Sequence, residues 1–334
     1  MSCPRIEREL LEEKLIGPYG VAAVSSRGRM TPEEPCPLRT CFQRDVDRIT
    51  HSKSFRRLKY KTQVFLQPEG DHYRTRLTHT LEVTRLARTV ARALSLNEDL
   101  TEAIGLGHDL GHTPFGHAGE RALDKIFSEG FRHYEQSLRV IDRIERDGEG
   151  LNLCWETRMG ILHHTHGSPE DTMEARCVRL CDRIAYVNHD LDDALRAGIL
   201  RQEDVPERIR TRLGTRNSKR INAFIVDVVE NSRNGEPGMS KEMHELFDFF
   251  HEFMYENVYR NPTAKGEESK VEDILRGIWE YYVKHPDKLP ADYRKIMEQE
   301  GLHRAVTDYV SGMTDRYAVE TYGSLFIPAA WSVK

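Results

Sequence analysis

The stretch from residue 73 to residue 120 constrains the fold more than any other part of this chain. It contains two helical patterns in which histidines stand in line with apolar residues. In the first pattern, apolar residues recur every three or four positions from Val83 onward, and His79 lies one turn before Val83. The second pattern begins after Asn97, a favourable N-cap, and continues to His108. These spacings predict two helices that each bury one face together with an imidazole.

A carboxylate and further polar side chains stand close to these histidines. Asp109 directly follows His108, and Gly111 can end the second helix. Three more polar residues follow: His112, His117 and Glu120. Neutral imidazoles beside a carboxylate, directed inward from neighbouring helices, are typical of a metal site. The alternative is that each histidine is a core residue satisfied by one backbone carbonyl, and the coincidence of so many such groups favours the metal site.

A third helical pattern extends from Glu174 to Gly198. Asp182, Tyr186 and Asp190 recur at four-residue steps and therefore share one face of this helix. Four aspartates lie within twelve residues of this stretch: Asp182, Asp190, Asp192 and Asp193. They repel one another unless a cation or hydrogen-bond donors offset their charge. The acidic face therefore indicates one wall of a charged pocket.

Other segments permit two interpretations. The basic cluster of Arg56, Arg57, Lys59 and Lys61 either binds a polyanionic substrate or solvates a surface. The run from residue 151 to 167 predicts a helix with a buried stripe of Trp155, Met159 and Leu162. It ends in His163, His164 and His166, which are either ligands or a polar helix end. Residues 64–67 form a short β-like apolar run before a turn that contains proline and glycine.

The composition indicates a soluble, mostly helical protein. Charged residues make up 31% of the 334 residues, and the formal net charge is −5, which argues against a protein that wraps nucleic acid. No apolar run reaches the roughly 18 residues that span a bilayer, so no membrane partner is expected. The six cysteines lack a disulfide-framework spacing, and the first residues carry no signal-peptide pattern. We therefore expect reduced thiols in a cytoplasmic protein.

The order His79, His108-Asp109, Asp182 resembles the metal-binding motif of the HD-domain superfamily of phosphohydrolases. Longer blocks resemble its deoxyguanosinetriphosphate triphosphohydrolase branch more closely. They include FQRDVDRITHSKSFRRLKYKTQVF, HYRTRLTHTLEV, LTEAIGLGHDLGHTPFGHAGE, EQSLRV, GLNLCWE, DRIAYVNHDLDDALRAG and VTDYVSGMTDRYAVETYGSLF. The resemblance covers the chain from about Arg39 to Phe326, and several blocks in one order are far more specific than a single His-Asp pair.

This resemblance implies an all-α fold, an HD-domain helical bundle with additional C-terminal helices. We expect one helical domain over residues 1–334, in which an N-terminal extension (1–50) precedes the HD catalytic core (51–200). The C-terminal helical part (201–334) would pack on that core. The implied reaction is the hydrolysis of a deoxynucleoside triphosphate to the deoxynucleoside and intact tripolyphosphate.

The resemblance also implies roles for individual residues. The metal ligands would be His79, His108, Asp109 and Asp182. The polar groups around the scissile α-phosphate would be His112, His117, Glu120 and His133. The residues that bind phosphates, sugar and base would be Gln63, Arg76, Arg183, Tyr186 and Asp190. A protonated His112 or His117 would donate to the departing oxygen, Glu120 would support His117, Asp190 would accept the 3′-hydroxyl, and Tyr186 would crowd a 2′-hydroxyl.

The implied cofactor is a divalent metal ion, with Mn, Mg, Fe, Ni or Zn as candidates, and the His163-His164 pair leaves a second ion open. The implied partners are a dNTP substrate, a nucleotide activator and further copies of the chain in a homo-oligomer. Two alternatives to the triphosphohydrolase stay open. One is an HD-type nucleotide monophosphatase or phosphodiesterase. The other is a regulatory HD protein that binds single-stranded nucleic acid through a basic groove.

Overall fold

A computed structural model of the chain describes residues 3–63, 74–260 and 268–328. Within these residues there are sixteen α-helices and no β-strand, so the predicted all-α class is confirmed. The helices are α1 (Pro4–Leu15), α2 (Cys41–Thr50), α3 (Lys53–Arg57), α4 (Arg76–Ala93), α5 (Glu98–Gly107), α6 (Gly116–Ile126), α7 (His133–Arg139), α8 (Trp155–His163), α9 (Met173–Arg196), α10 (Glu207–Leu213), α11 (Asn217–Asn231), α12 (Lys241–Met254), α13 (Glu268–Lys284), α14 (Ala291–Glu300), α15 (Leu302–Ser311) and α16 (Asp315–Phe326). The β-like run predicted at residues 64–67 lies outside the described residues.

The helices that carry the predicted site begin at side-chain caps. The Thr75 hydroxyl accepts a hydrogen bond from the backbone N–H of Thr78 at the start of α4, and the Thr172 hydroxyl caps α9 in the same way. The Asn97 side chain accepts from two backbone N–H groups at the start of α5, so its predicted role as N-cap is confirmed. Because such a cap contributes about 1 kcal/mol, these residues fix where each helix starts and which side chains face inward.

The first apolar core lies where α4 packs against α5 and α9. Its central side chains, Val83, Ala87, Ile104, Val178 and Ile184, are fully buried. These positions follow the three-and-four spacing of the sequence, so the predicted buried faces of the three helices are confirmed. The packing brings the histidines and carboxylates of α4, α5 and α9 to one end of this core.

The buried stripe predicted for α8 is wrong: the structure leaves Trp155, Met159 and Leu162 only half-buried. The buried face instead contains Glu156, Gly160 and Ile161. Gly160 allows close contact with α5, because a Cβ at this position would lie 2.5 Å from Ile104 Cδ1. Glu156 is tolerated inside because the Ser26 hydroxyl donates to its carboxylate at 2.7 Å.

A second apolar core joins the C-terminal helices to the first half of the chain. Helices α13, α14, α15 and α16 pack together, and α13 also packs on α6, with Leu123, Leu275 and Val306 fully buried between them. Among the described residues, no helix combines the length and the apolar character needed to cross a membrane. The division into parts at residues 50 and 200 stays a prediction.

Candidate active site

One cavity lies where α4, α6, α7, α9 and α12 meet, and it has about 690 Å³ of empty space, part of it open to solvent. Fourteen of its fifteen lining residues carry polar or aromatic side chains, and Val187 is the aliphatic exception. The lining residues are Gln63, Arg76, His79, Asp109, His112, His117, His133, His164, Thr165, Asp182, Arg183, Tyr186, Val187, Phe247 and His251. A cavity lined by cations, imidazoles and two carboxylates suits a small polyanionic ligand.

Three of the four predicted metal ligands line this cavity, His79, Asp109 and Asp182, and His108 lies directly beside them. His79 Nε2 lies 3.0 Å from Asp182 Oδ1. His108 Nε2 lies 3.7 Å from Asp109 Oδ2 and 3.9 Å from Asp182 Oδ1. The ligand atoms of His79, His108 and Asp109 all lie within 4.8 Å of one another. His79, His108 and Asp109 are therefore close enough to share one ion, and Asp182 contacts the two histidines but lies outside that mutually close group.

His108 shows most clearly that these residues fit a metal. It is the C-cap of α5, which ends one residue earlier than the sequence pattern suggests, and its ring is 1% exposed. Its Nδ1 donates to the Gly105 carbonyl at 2.7 Å, so Nε2 carries the lone pair. That buried Nε2 has no hydrogen-bond partner among the described residues. A buried imidazole with one nitrogen anchored to a carbonyl and the other free matches a metal-binding histidine.

The two carboxylates of the cluster are ionised. Burial opposes the ionisation of Asp109, but Arg76 and the neighbouring histidines outweigh it and hold the pKa of Asp109 well below its usual range. The Arg76 guanidinium donates to Asp109 Oδ2 at 2.8 Å. Burial likewise opposes the ionisation of Asp182, whereas the hydrogen bond with His79 and the nearby His108 lower the pKa of Asp182 to about 2. Two carboxylates with lowered pKa, one buried and one partly buried, beside the free Nε2 of His108 make a suitable cation site.

Glu120 holds a second cluster beside the first. Its carboxylate lies 2.9 Å from His133 Nδ1 and 3.1 Å from His117 Nδ1, and it also accepts from the His133 backbone N–H at 2.9 Å. The His112 ring stacks on the His133 ring with centroids 4.5 Å apart. All four predicted catalytic residues are therefore in contact. Burial, together with Arg76 and His133, holds the pKa of His112 well below its usual range, which disfavours the expected protonated form of His112.

The sequence leaves the role of His164 open, and the structure places the His164 ring in the Glu120 cluster. His164 is 4% exposed, and its Nδ1 donates to the Ile161 carbonyl at 2.8 Å, so Nε2 is an acceptor. His164 Nε2 lies 3.2 Å from His133 Nε2. His133 must therefore donate from Nε2 to His164 and from Nδ1 to the Glu120 carboxylate. His133 therefore links the Glu120 carboxylate to His164 through its two ring nitrogens.

The other two histidines of that stretch lie apart from the ion cluster. His163 Nδ1 lies 2.7 Å from Asp171 Oδ1, and the His166 ring contacts Tyr134. The α8 periodicity does not distinguish these three histidines, because only the close packing at Gly160 decides which one points inward.

Tyr186 lines the cavity, whereas Asp190, one turn further along α9, is not among the lining residues and pairs with a tyrosine that the sequence did not indicate. The Tyr259 hydroxyl donates to Asp190 Oδ2 at 2.6 Å, and its ring lies 5.4 Å from the Tyr186 ring. Burial raises the pKa of Asp190 well above its usual range. Tyr259 stands in a π-helical turn (Tyr255–Tyr259) at the end of α12, where no periodic pattern marks it as a site residue.

The opposite wall comes from α9 and α12. The Arg183 guanidinium lies 5.0 Å from the Phe247 ring centroid, and His251 stacks on the same ring with centroids 6.5 Å apart. Arg183 is one of the predicted substrate-binding residues, the helical spacing of Phe247 predicts a core residue, and His251 carries no predicted role. Phe247 is both a core residue and part of the cavity wall, since it is 1% exposed and yet lines the cavity.

The basic cluster predicted to bind a polyanion is not gathered at the cavity. Arg56 and Lys59 are exposed, and Arg57 donates to the Gly312 carbonyl at 3.2 Å. Lys61 is 3% exposed and donates to the carbonyls of His112 and Ser311. Only Gln63, two residues later, lines the cavity, with its buried Oε1 unpaired among the described residues. Two members of the cluster, Arg57 and Lys61, connect this segment to residues near the C-terminal end of α15.

Comparisons with known proteins agree with this geometry. A family model described as HD domain matches residues 76–187, and one described as phosphohydrolase-associated domain matches residues 238–324. The chain is 52% identical over 325 residues to a deoxyguanosinetriphosphate triphosphohydrolase-like protein of Caldanaerobacter subterraneus subsp. tengcongensis, an alignment that covers 97% of this chain and 96% of that protein. A protein of the same description from Clostridium perfringens is 50% identical over 313 residues and covers 91% of this chain and 92% of its own.

A solved structure shares the fold. A phosphohydrolase from Bacteroides thetaiotaomicron superposes with a TM-score of 0.51 at 17% sequence identity, covering 83% of this chain and 68% of that chain. At this identity the likeness concerns the fold alone.

Proposed function

Because this chain belongs to the deoxyguanosinetriphosphate triphosphohydrolase-like family of HD phosphohydrolases, we propose that it hydrolyses deoxynucleoside triphosphates to the deoxynucleoside and tripolyphosphate. The observation that carries the proposal is the adjacency of two clusters in one cavity. The first is the carboxylate and imidazole cluster around Asp182, and the second is the proton-bearing cluster around Glu120. Together they supply a cation site and a proton donor on the two sides of a single phosphate-sized space.

In this proposal His79, His108, Asp109 and Asp182 hold one divalent ion. The unpaired Nε2 of His108 and the two ionised carboxylates support this assignment. When bound, the ion polarises the α-phosphate and lowers the pKa of the attacking water. The mixed nitrogen and oxygen set suits Mn, Fe, Ni or Zn and also accepts Mg.

Arg76 binds the phosphates. Its side chain is 2% exposed and one terminal nitrogen pairs with Asp109, while Nε and Nη2 have no partner among the described residues. Buried guanidinium donors without an acceptor are costly. A phosphate oxygen in the cavity would satisfy them, and Arg183 at the exposed mouth would meet the distal phosphates.

The Glu120 cluster supplies the proton. Hydrolysis breaks the bond between the α-phosphorus and the 5′ oxygen of the deoxynucleoside, and that oxygen leaves as a strongly basic alkoxide unless a proton reaches it. His133 donates from both ring nitrogens, and Glu120 links it to His117, whose ring is exposed to the cavity. Glu120 therefore keeps a proton available, and His117 delivers it to the departing oxygen.

The sugar lies against Tyr186. Asp190 Oδ1 is buried without a partner among the described residues, and so is Gln63 Oε1. Either of these oxygens would accept a hydrogen bond from the 3′-hydroxyl, while the Tyr186 ring would crowd a 2′-hydroxyl. The base would then reach the wall formed by Phe247 and His251.

The expected homo-oligomer, the nucleotide activator and the cytoplasmic location belong to the same proposal. All six cysteines are free thiols, as a reducing compartment requires. The oligomer and the activator rest on the family resemblance.

The test is an assay of the purified protein against each dNTP, alone and in pairs, with Mn²⁺ or Mg²⁺. Phosphorus NMR of the products separates the alternatives, since only the proposed reaction releases tripolyphosphate. Release of orthophosphate from nucleoside monophosphates, or opening of a cyclic nucleotide, would replace the proposal by a phosphatase or phosphodiesterase. Salt-sensitive DNA binding without turnover would indicate the regulatory alternative.

A further inference from the structure

The C-terminal helices α15 and α16 contact two loops of the candidate site. One is the glutamine loop, residues 61–63, which carries Gln63 into the cavity. The other is the histidine loop, residues 111–117, which begins after the metal cluster and carries His112 and His117. Neither α15 nor α16 lines the cavity, so their contribution is indirect.

The Asp315 carboxylate, at the first position of α16, joins the two loops. Its Oδ2 accepts from the Thr62 backbone N–H at 2.9 Å, and its Oδ1 accepts from the Phe115 backbone N–H at 2.8 Å. Asp315 is 4% exposed. Each carboxylate oxygen thus bonds one loop, and both bonds are buried.

Lys61 makes a second connection between the same elements. Its buried ammonium donates to the His112 carbonyl in the histidine loop and to the Ser311 carbonyl, 3.1 Å away, at the end of α15. The loops also touch directly, because a Cβ on Gly116 would lie 3.2 Å from the Gln63 carbonyl oxygen. The backbone of the glutamine loop, the backbone of the histidine loop and the C-terminal helices therefore form one hydrogen-bonded unit.

The bond from Asp315 falls where the histidine loop is strained. Phe115 has φ 62° and ψ 25°, a left-handed conformation that a bulky residue rarely adopts. Gly116 follows with φ 58°. This reversal places His112 before the turn and His117 on the first turn of α6. A strained backbone persists only when its surroundings hold it, and here the buried carboxylate bonds the N–H of the strained residue itself.

We propose that Asp315 is a positioning residue for the reaction. It fixes the relative position of Gln63 and the His112 and His117 pair, and in this way the C-terminal part of the chain takes part in the chemistry without touching substrate. This inference rests on the proposed function for its catalytic readout.

The substitution Asp315→Asn tests it at nearly constant size. An asparagine has a single acceptor oxygen, and its NH₂ group would face one of the two backbone N–H groups, so only one loop stays bound. The matched control is Thr314→Ala, which removes the neighbouring N-cap of the same helix, where the hydroxyl accepts from Tyr317 N at 3.2 Å. The control weakens α16 but keeps both bonds of Asp315.

The expected result is a loss of kcat of about 100-fold for Asp315→Asn, the scale for misplaced catalytic groups. The KM for the dNTP should change by much less than kcat. For Thr314→Ala, kcat should stay within about twofold while Tm falls, because a lost cap costs stability alone. Equal kcat losses in the two variants, or unchanged kcat in Asp315→Asn, would overturn the proposal.

Two further measurements separate this inference from the proposed function. Hydrogen exchange at one of the two amides, Thr62 or Phe115, should accelerate in Asp315→Asn, and both amides should stay protected in Thr314→Ala. Unchanged protection in Asp315→Asn would refute the positioning role, whether or not the wild type is active. A wild type that released no tripolyphosphate from any dNTP would refute the proposed reaction instead.

If Asp315→Asn fails to fold, Asp315→Glu keeps the charge and both acceptors but displaces them. Its kcat should fall with little change in Tm, and an unchanged kcat would again overturn the proposal.

Discussion

Replacing Glu120 with glutamine removes one charge from the centre of the proton-bearing cluster and keeps the side-chain shape. In the structure the Glu120 carboxylate lies within hydrogen-bonding distance of the ring nitrogens of His133 and His117, at 2.9 Å and 3.1 Å. A glutamine offers one acceptor oxygen, and its NH₂ group would oppose one of these ring N–H groups. The variant therefore loses the charge assistance to both histidines without opening a cavity.

The magnitude follows from these bonds. A hydrogen bond to a charged group contributes about 1.5 to 3 kcal/mol, so losing one such bond and the charge assistance to the other removes at most about 3 to 6 kcal/mol. If these interactions stabilise the proton donor in the transition state, their loss lowers kcat by a factor of about 10² to 10⁴. That range matches the usual contribution of general acid catalysis.

The assay compares kcat for tripolyphosphate release in the wild type, in Glu120→Gln and in Glu129→Gln. Glu129 is exposed just after α6 and serves as the control, with activity expected within about twofold of the wild type. Mn²⁺ affinity should be unchanged in Glu120→Gln, because Glu120 is outside the proposed ligand set. A variant that keeps a third or more of the wild-type kcat would refute the assignment of Glu120.

The Glu120→Gln variant also tests how the stability of the fold depends on pH. Burial raises the pKa of Glu120, but the hydrogen bonds from His117 and His133 outweigh it and hold that pKa below the ordinary value of 4.5. A carboxylate with a lowered pKa stabilises the fold above about pH 4.5, and this contribution is lost as the pH falls toward the lower folded value. The difference in unfolding free energy between wild type and Glu120→Gln should therefore shrink from pH 7 to pH 4 in urea titrations. A difference that grows in this range would contradict the analysis.

Three more predictions concern the substrate and the ion. Tyr186→Ala should raise the ratio of ribonucleotide to deoxyribonucleotide kcat/KM about tenfold or more, and an unchanged ratio would count against the sugar assignment. Tyr259→Phe should lower the unfolding free energy by about 1 to 3 kcal/mol in urea titrations, because a buried Asp190 oxygen loses its donor, and an unchanged value would contradict this bond. Saturating Mn²⁺ should raise Tm and a chelator should reverse it, whereas a Tm indifferent to Mn²⁺ would exclude a folded-state ion site.

The helices of the site were predictable because each buries one face along a regular period. The periodicity of α4, α5 and α9 is strong enough to place His79, His108 and Asp182 on inward faces, and the structure brings the three together. The N-cap at Asn97 was predictable for a local reason, since its side chain bonds the backbone two and three residues later.

The features of the site that the sequence did not predict depend on contacts between distant segments. Lys61 lies in a basic run like its neighbours, yet it is buried because α15 offers it a carbonyl 250 residues away. His164 faces the site and His163 does not, because Gly160 permits the close approach of α8 to Ile104. Phe247 has the helical spacing of a core residue and is buried like one. It is also part of the cavity wall because the cavity lies against its ring.

Crystals soaked with Mn²⁺, analysed by anomalous diffraction, test the central claim most directly. The expected result is one strong peak within about 2.0 to 2.3 Å of side-chain atoms of His79, His108, Asp109 and Asp182, at ordinary metal–ligand distances. A peak at another position, or a peak that Asp182 does not reach, would contradict the account.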